Sequence, residues 1–360
     1  MEVAVAGGDR QQGRTLLCGY YGEHNLGDDA LLQMLLRQLP ASLEPLVTAH
    51  DQGQVRERFG VATTDRRSLK GVLRSLGHCQ ALVLGGGSLL QDSTSFRSLI
   101  YYAALILAAR LQGKPVALWG QGLGPLRRRR SRLLVRSLLP LATAISWRDA
   151  SSADLARSWG VDGVLGSDPV WGLAGQPWQG AGGPIVLCWR PTPLLMAESW
   201  RPYLQALERL AVAADRAVLW FPFHGDQDRV LLEQLQQQGL LPPALAERSR
   251  TLSVAAPAEA MELFARAGLV VAMRLHGLIL AARAGAPVAA LSYDPKVAAA
   301  AASIGCACHP LERPAPADLA AQWQACLDHP GDAERIQELS ARADCHRQVL
   351  ERISQVLQRA

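Results

Sequence analysis

The chain has 360 residues, 49% of them hydrophobic, enough for two domains of ordinary size with a core each. A formal charge of +5, from 37 Lys and Arg against 32 Asp and Glu, and an aromatic content of 6% do not call for nucleic acid; a modest positive field suits an anionic substrate or a membrane surface. Seven cysteines, an odd number mostly isolated in apolar runs, read as reduced thiols, the N-terminus carries Glu2 and Asp9 with no apolar leader core, and the longest apolar stretch, Leu99 to Ala109, is too short to span a bilayer. The expectation is a cytoplasmic protein, at most peripheral to the inner face of a membrane.

Thr15 to Gly19 is a short strand, followed by a glycine-punctuated turn, Tyr20 to Asp28, and an amphipathic helix from Asp29 to about Leu39. Glycines let backbone N–H groups approach a ligand, and Asn25 or Asp28 can cap the helix or bind sugar hydroxyls. Gly19, Gly22 and Gly27 fit neither the dinucleotide nor the P-loop spacing, and no Lys-Ser/Thr follows, which excludes nucleoside triphosphate binding here. After a helix, Ser68 to Leu76, the buried strand Ala81 to Leu84 opens into Gly85, Gly86, Gly87 and Ser88, a nest of donors able to hold an oxyanion, although such turns are also common packing devices. A helix, Ser95 to Leu111, leads to the strand Pro115 to Trp119, which ends at Gly120, Gln121 and Gly122.

Arg127 to Arg130 is a run of four arginines, joined by Arg132 and Arg136. Most such runs are solvated surface; the alternative is a patch for anionic lipid headgroups or a lipid pyrophosphate. The strand Ala142 to Trp147 delivers Arg148, and Asp149 is placed to cap the helix that follows. Another short strand, Val161 to Leu165, ends at Ser167, Asp168 and Pro169. The Gly- and Pro-rich text from Gly172 to Gly183 predicts an interdomain linker.

A second α/β series then begins. The strand Ile185 to Trp189, the helix Glu198 to Ala214 and the strand Ala217 to Phe221 lead to His224, which either lines the site or caps the next helix. A further helix, Pro257 to Ala265, precedes the stretch that carries most of the chemistry. The strand Leu269 to Ala272 ends at Arg274 and His276, and the strand Pro287 to Leu291 ends at Ser292, Tyr293, Asp294 and Lys296. In open parallel sheets ligands bind at the carboxyl ends of strands, beside helix N-termini. Either residue alone reads as a satisfied core histidine or an ion-pair arginine; Arg, His and Lys at two successive strand ends read as groups that hold a small anion and move protons around it. The economical architecture is α/β: two Rossmann-like domains facing across a cleft. Asp332 to Arg359 predicts one or two amphipathic helices without chemistry.

Eight stretches in this order, GYYGEHNLGDDALL, GGGSLLQDSTSFRSLIYY, GQGLGP, SWRD, SDP, FPFHGDQD, MRLHG and SYDPKV, resemble the CsaB-type polysaccharide pyruvyltransferases over about Cys18 to Lys296. The resemblance implies a GT-B-like fold, with an N-terminal Rossmann-like domain over residues 1–175 on the acceptor side. It implies a C-terminal one over 183–360, with the C-terminal helices, on the phosphoenolpyruvate side. It also implies transfer of a pyruvyl group from phosphoenolpyruvate, as co-substrate and without a cofactor, onto two hydroxyls of a sugar, lipid-linked or not, with a cyclic ketal and phosphate as products. Carried over by motif, Arg148, Arg274, His276 and Lys296 are implicated in donor binding, with Arg148, His276 and Lys296 also in catalysis. Asn25, Asp28, Gly86, Gly87, Ser88, Gln121 and His224 are left to the acceptor or to the lining of the cleft.

The residues agree with that chemistry. Phosphoenolpyruvate carries a carboxylate and a phosphate, which three cations match, arginine in bidentate fashion. Protonation of its methylene carbon needs a general acid, and an imidazole titrates near working pH. No metal is expected, since arginines can neutralise the phosphate. Two other readings stand beside this one: a GT-B glycosyltransferase using a nucleotide sugar, revealed by saturable nucleotide diphosphate binding, and a carbohydrate-binding protein that releases no phosphate.

Overall fold

The structure, a computed structural model, describes residues 13–93 and 95–359; the stretch with Glu2 and Asp9 lies outside them. The chain divides into two units. One takes the residues up to Glu23, then Leu35–Gly166 and the chain from Cys345; the other takes His24–Met34 and Ser167–Asp344.

In the first unit the described residues form a seven-stranded parallel sheet from β1 (Arg14–Tyr21), β2 (Glu44–Ala49), β3 (Ala62–Asp65), β4 (Ala81–Leu84), β5 (Val116–Gln121), β6 (Ala144–Trp147) and β7 (Val164–Leu165), in the order β3-β2-β1-β4-β5-β6-β7. Parallel neighbours need crossovers. These are α1 (Leu26–Gln38), α2 (Gln52–Phe59), α3 (Leu69–Gly77), α4 (Phe96–Leu111), α5 (Arg129–Leu138) and α6 (Ala150–Arg157). Helix starts follow local chemistry: Asp51, Ser68, Ser95 and Asp149 each accept a hydrogen bond from a backbone N–H of the first turn. The central strands β4 and β5 are buried at every position, as sheets covered on both faces require.

The second unit repeats the plan. Its parallel strands are β8 (Ile185–Cys188), β9 (Val218–Trp220), β10 (Ser249–Thr251), β11 (Leu269–Ala272), β12 (Val288–Ser292) and β13 (Ala307–Pro310), in the order β10-β9-β8-β11-β12-β13. Its helices are α7 (Arg201–Ala213), α8 (Gly225–Asp228), α9 (Leu231–Gln237), α10 (Pro243–Arg248), α11 (Pro257–Ala265), α12 (Leu275–Arg283), α13 (Pro295–Ile304), α14 (Leu319–Cys326) and α15 (Ala333–Ala343). The core gathers Trp189, Trp200, Trp220 and Trp323 around the aliphatic side chains of β8, β9 and β11.

Three boundaries differ from the sequence reading. The units divide at Gly166 and Ser167, not within Gly172 to Gly183. That Gly- and Pro-rich text is a strap held on the second unit: Trp178 Nε1 donates to the Ala267 carbonyl (2.8 Å), Gln179 N to the Ala265 carbonyl (2.8 Å) and Arg283 Nε to the Leu173 carbonyl (3.0 Å). Composition reports backbone freedom, and specific hydrogen bonds remove it. The C-terminal helices also part company, because α15 packs on the turn Pro169–Gly172 while α16 (Arg347–Arg359) buries Val349, Leu350 and Ile353 and packs against β5 and β6 of the first unit. Third, residues 24–34, which open α1, cluster with the second unit.

Candidate active site

In the second sheet the strand order reverses at β8, which lies between β9 and β11. This switch point is where loops leave in opposite directions and a ligand can reach backbone and helix N-termini. Four carboxyl ends meet there. Arg190 follows β8, His224 follows β9, Arg274 and His276 follow β11, and Tyr293 and Lys296 follow β12. Arg274 stands at the N-cap of α12 in an extended conformation without capping it, so its side chain is free to turn elsewhere.

It turns to Asp228. Arg274 Nε donates to Asp228 Oδ2 (3.1 Å), Nη2 pairs with Asp228 Oδ1, and Nη2 also donates to Gln227 Oε1 (3.1 Å). The Asp228 side chain is fully buried and accepts a third bond from the His224 N–H (2.8 Å). One carboxylate therefore fixes the ends of β9 and β11 relative to each other. His224 is buried, without a capping hydrogen bond from its side chain; burial, then the nearby Arg274 charge, hold its pKa below the ordinary 6.5. It is a neutral imidazole at physiological pH.

His276 differs. Its Nε2 lies 3.4 Å from Asp168 Oδ2, an ion-pair distance whenever the ring is protonated. Asp168 is itself fixed by accepting the Val170 N–H through Oδ1 (3.1 Å). On the Nδ1 side stands Gly27: a Cβ added there would lie 2.2 Å from His276 Nδ1. The start of α1 is held in place by backbone bonds, Leu26 N to the Phe223 carbonyl (3.2 Å) and Gly225 N to the His24 carbonyl (2.9 Å). Asn25 caps it, accepting the Gly27 N–H through Oδ1 (3.1 Å) and donating through Nδ2 to Asp28 Oδ2 (2.6 Å). Asn25 and Asp28, expected with the N-terminal domain, thus stand beside the histidines of the second unit. Lys296 is the most exposed of the cations, its Nζ only loosely paired with Asp294 Oδ2 at 3.7 Å. Arg190 donates to the Tyr293 hydroxyl (3.2 Å) and stacks over its ring.

The remaining predicted residues form a second cluster, at the strand ends of the first unit. Arg148 is buried and donates through Nη2 to Ser88 Oγ (2.9 Å). Gly122 makes room for that pair, since a Cβ there would lie 2.7 Å from both Arg148 Nε and Ser88 Oγ. Gln121 is buried, with its amide donated to the Gly85 carbonyl and its backbone bridged to Gly87. It shapes the Gly85–Gly86–Gly87 loop, in which Gly87 takes the left-handed φ of 101° that favours glycine.

A model of one family, polysaccharide pyruvyl transferase, matches residues 25–295, well over half of the chain. The chain belongs to the polysaccharide pyruvyl transferase family. A search of curated proteins finds no match. Among solved structures, HepE from Anabaena, in complex with UDP and glucose, is 12% identical with a TM-score of 0.59, covering 97% of this chain and 100% of its own. The UDP-GlcNAc 2-epimerase of Methanocaldococcus jannaschii is 10% identical with a TM-score of 0.61, covering 96% and 99%. That of Neisseria meningitidis, bound to UDP-GlcNAc, is 10% identical with a TM-score of 0.59, covering 96% and 100%. At such identity these likenesses establish the fold alone: two Rossmann-like units with parallel sheets, as in GT-B proteins.

In this pyruvyl transferase family member three site residues carried no role in the sequence reading. Arg190 was findable, because the strand-end rule that picked Arg274 applies equally to β8. Asp168 and Asp228 lie within the SDP and FPFHGDQD stretches, but a carboxylate's partner across the fold leaves no local signal. Gly27 was legible as a glycine and not as a contact. Its backbone is helical and admits alanine, but the new Cβ would also lie 2.8 Å from His276 Cγ and 2.9 Å from its Cβ, so Gly27→Ala should cost about 1–3 kcal/mol of stability. The added Cβ must displace the His276 ring, and a displacement of this kind should lower turnover by about a hundredfold. Paired melting curves and steady-state assays check this; unchanged turnover would mean that the close approach does not set the ring.

Proposed function

We propose that this enzyme moves the pyruvyl group of phosphoenolpyruvate onto two hydroxyls of a sugar in a cell-surface polysaccharide precursor, forming a cyclic ketal and releasing phosphate, as the CsaB-type motifs imply. The observation that carries the reading is a histidine with a buried carboxylate partner, His276 and Asp168, set among the cations of adjoining strand ends. His276 protonates the methylene carbon of the donor, and Asp168 stabilises the imidazolium that gives the proton. C2 becomes electrophilic, one hydroxyl attacks, the bond to phosphate breaks, and the second hydroxyl closes the ketal. Of the two hydroxyl protons, one replaces the proton that His276 gave to the new methyl group and the other leaves with phosphate.

Lys296 and Arg190 meet the donor's anionic groups in this scheme. Arg274 acts through its Asp228 pair and offers the remaining edge of its guanidinium. Arg148, held by Ser88, counters charge on the donor in the transition state. The acceptor is a sugar, lipid-carried or free, and the reaction takes place in the cytoplasm.

Incubation with phosphoenolpyruvate and a panel of free and lipid-linked sugars should release phosphate only when a matching acceptor is present, with one ketal formed per phosphate. Saturable nucleotide diphosphate binding and sugar transfer without phosphate release from phosphoenolpyruvate would replace this reading with the glycosyltransferase one. Within it, Lys296→Ala removes one charge-assisted contact, so the KM for phosphoenolpyruvate should rise by about tenfold to a hundredfold. A change confined to the acceptor's KM would move Lys296 to the other substrate.

A further inference from the structure

Between Arg66 and Arg148 the sequence holds a single acidic residue, Asp92. Asp92 is buried, and its two carboxylate oxygens accept the N–H groups of Arg127 (2.8 Å) and Arg128 (2.9 Å). Burial opposes its ionisation, but these bonds, the Ser131 hydroxyl and the Arg128 charge hold its pKa below the usual carboxylate range. The one anion of the region is thus consumed in fixing the start of the arginine run. Helix α5 buries Ser131, Val135 and Leu138, and its opposite side presents the arginines together with Leu133, which is 67% exposed. Arg130 stacks over Phe96 at 4.1 Å and so joins α5 to α4, which packs beside it. The outer side of α4 continues the pattern, with Arg97 and Arg110 exposed around Leu107 (44% exposed) and Leu111 (88% exposed). Among the described residues no acidic side chain forms an ion pair with the Arg127–Arg130 run.

We propose that this α4–α5 face of the first unit docks on an anionic lipid bilayer. The charge argument alone would admit any polyanion. The leucines decide between them: large aliphatic side chains standing among arginines gain free energy where acyl chains lie just beneath anionic headgroups, and gain little on a nucleic-acid backbone. The combination of guanidinium groups with shallow apolar anchors is that of a surface-bound protein, and no helix of the described residues is long and apolar enough to cross a membrane. The inference is independent of the pyruvyl transfer reading, and its test uses no substrate.

The full-length protein is sedimented with vesicles of phosphatidylglycerol and phosphatidylcholine, and with vesicles of phosphatidylcholine alone. Binding to the anionic vesicles should be stronger by about a hundredfold or more and should weaken as salt is raised, because each arginine near the surface adds to the attraction and is screened within a Debye length. Replacement of Arg127, Arg128, Arg129 and Arg130 by glutamine should abolish this binding. Leu111→Gln with Leu133→Gln, at exposed positions that leave the core intact, should weaken it about tenfold while keeping its salt dependence. Melting curves identify any variant that fails to fold, in which case the other variant decides. Equal sedimentation with both vesicle types, or wild-type binding by both variants, overturns the proposal. Salt-sensitive binding to a single-stranded oligonucleotide with none to vesicles overturns it as well and assigns the face to nucleic acid.

Discussion

Replacing His276 with glutamine should lower turnover by about two to four powers of ten while donor binding is largely kept, the usual contribution of a positioned acid or base. Glutamine retains size and a donor for Asp168, which stands 3.4 Å from the histidine Nε2, but it cannot cycle a proton. His224 is the control. It is buried, and burial together with Arg274 keeps it neutral at working pH, so it is a poor proton donor; His224→Gln should cost much less. Asp168→Asn should fall between the two, since the imidazolium that gives the proton loses its counter-charge. In heavy water the wild type should place deuterium in the ketal methyl group. Near-normal turnover by His276→Gln with an inactive His224→Gln would move the acid to the end of β9.

The placement of the candidate site's side chains was legible wherever it follows from strand polarity. An apolar run that ends in Arg, His or Lys marks a carboxyl end, and the runs Leu269 to Ala272 and Ala81 to Leu84 coincide with observed strands. Capping was legible for the same reason: Asp149 and its Ser152 partner are neighbours in sequence. What could not be read depends on partners far apart in the chain. Arg274 looked like a free cation because nothing near it is acidic; its carboxylate is 46 residues away. Asn25 looked like part of the N-terminal half, yet the bond from Leu26 to Phe223 ties its helix to a residue far along the chain, at the end of β9. The Gly- and Pro-rich strap misled in the opposite sense, since its composition is that of a linker and its hydrogen bonds are those of a packed segment.

Removal of Asp228 should have the largest effect on stability. Asp228→Ala leaves a guanidinium that is only 11% exposed without its counter-charge and takes the acceptor from the His224 N–H. Breaking a buried pair from one side costs about 3–5 kcal/mol, more than any surface change in this chain should produce. Chemical denaturation should show the loss in the transition of the second unit, and the double variant Asp228→Leu with Arg274→Met should lose less than the sum of its single changes. The pH dependence adds an independent reading. His224 has a folded-state pKa below 6.5, so the unfolded chain binds its proton more readily and stability falls as pH drops through about 6.5. Asp228 opposes this depression and Arg274 deepens it. Without Asp228 the depression should grow, and the acid limb of stability should become steeper and extend to lower pH than in the wild type. A loss below about 1 kcal/mol with an unchanged acid limb would show that water replaces the carboxylate and that the pair does not hold the ends of β9 and β11 together.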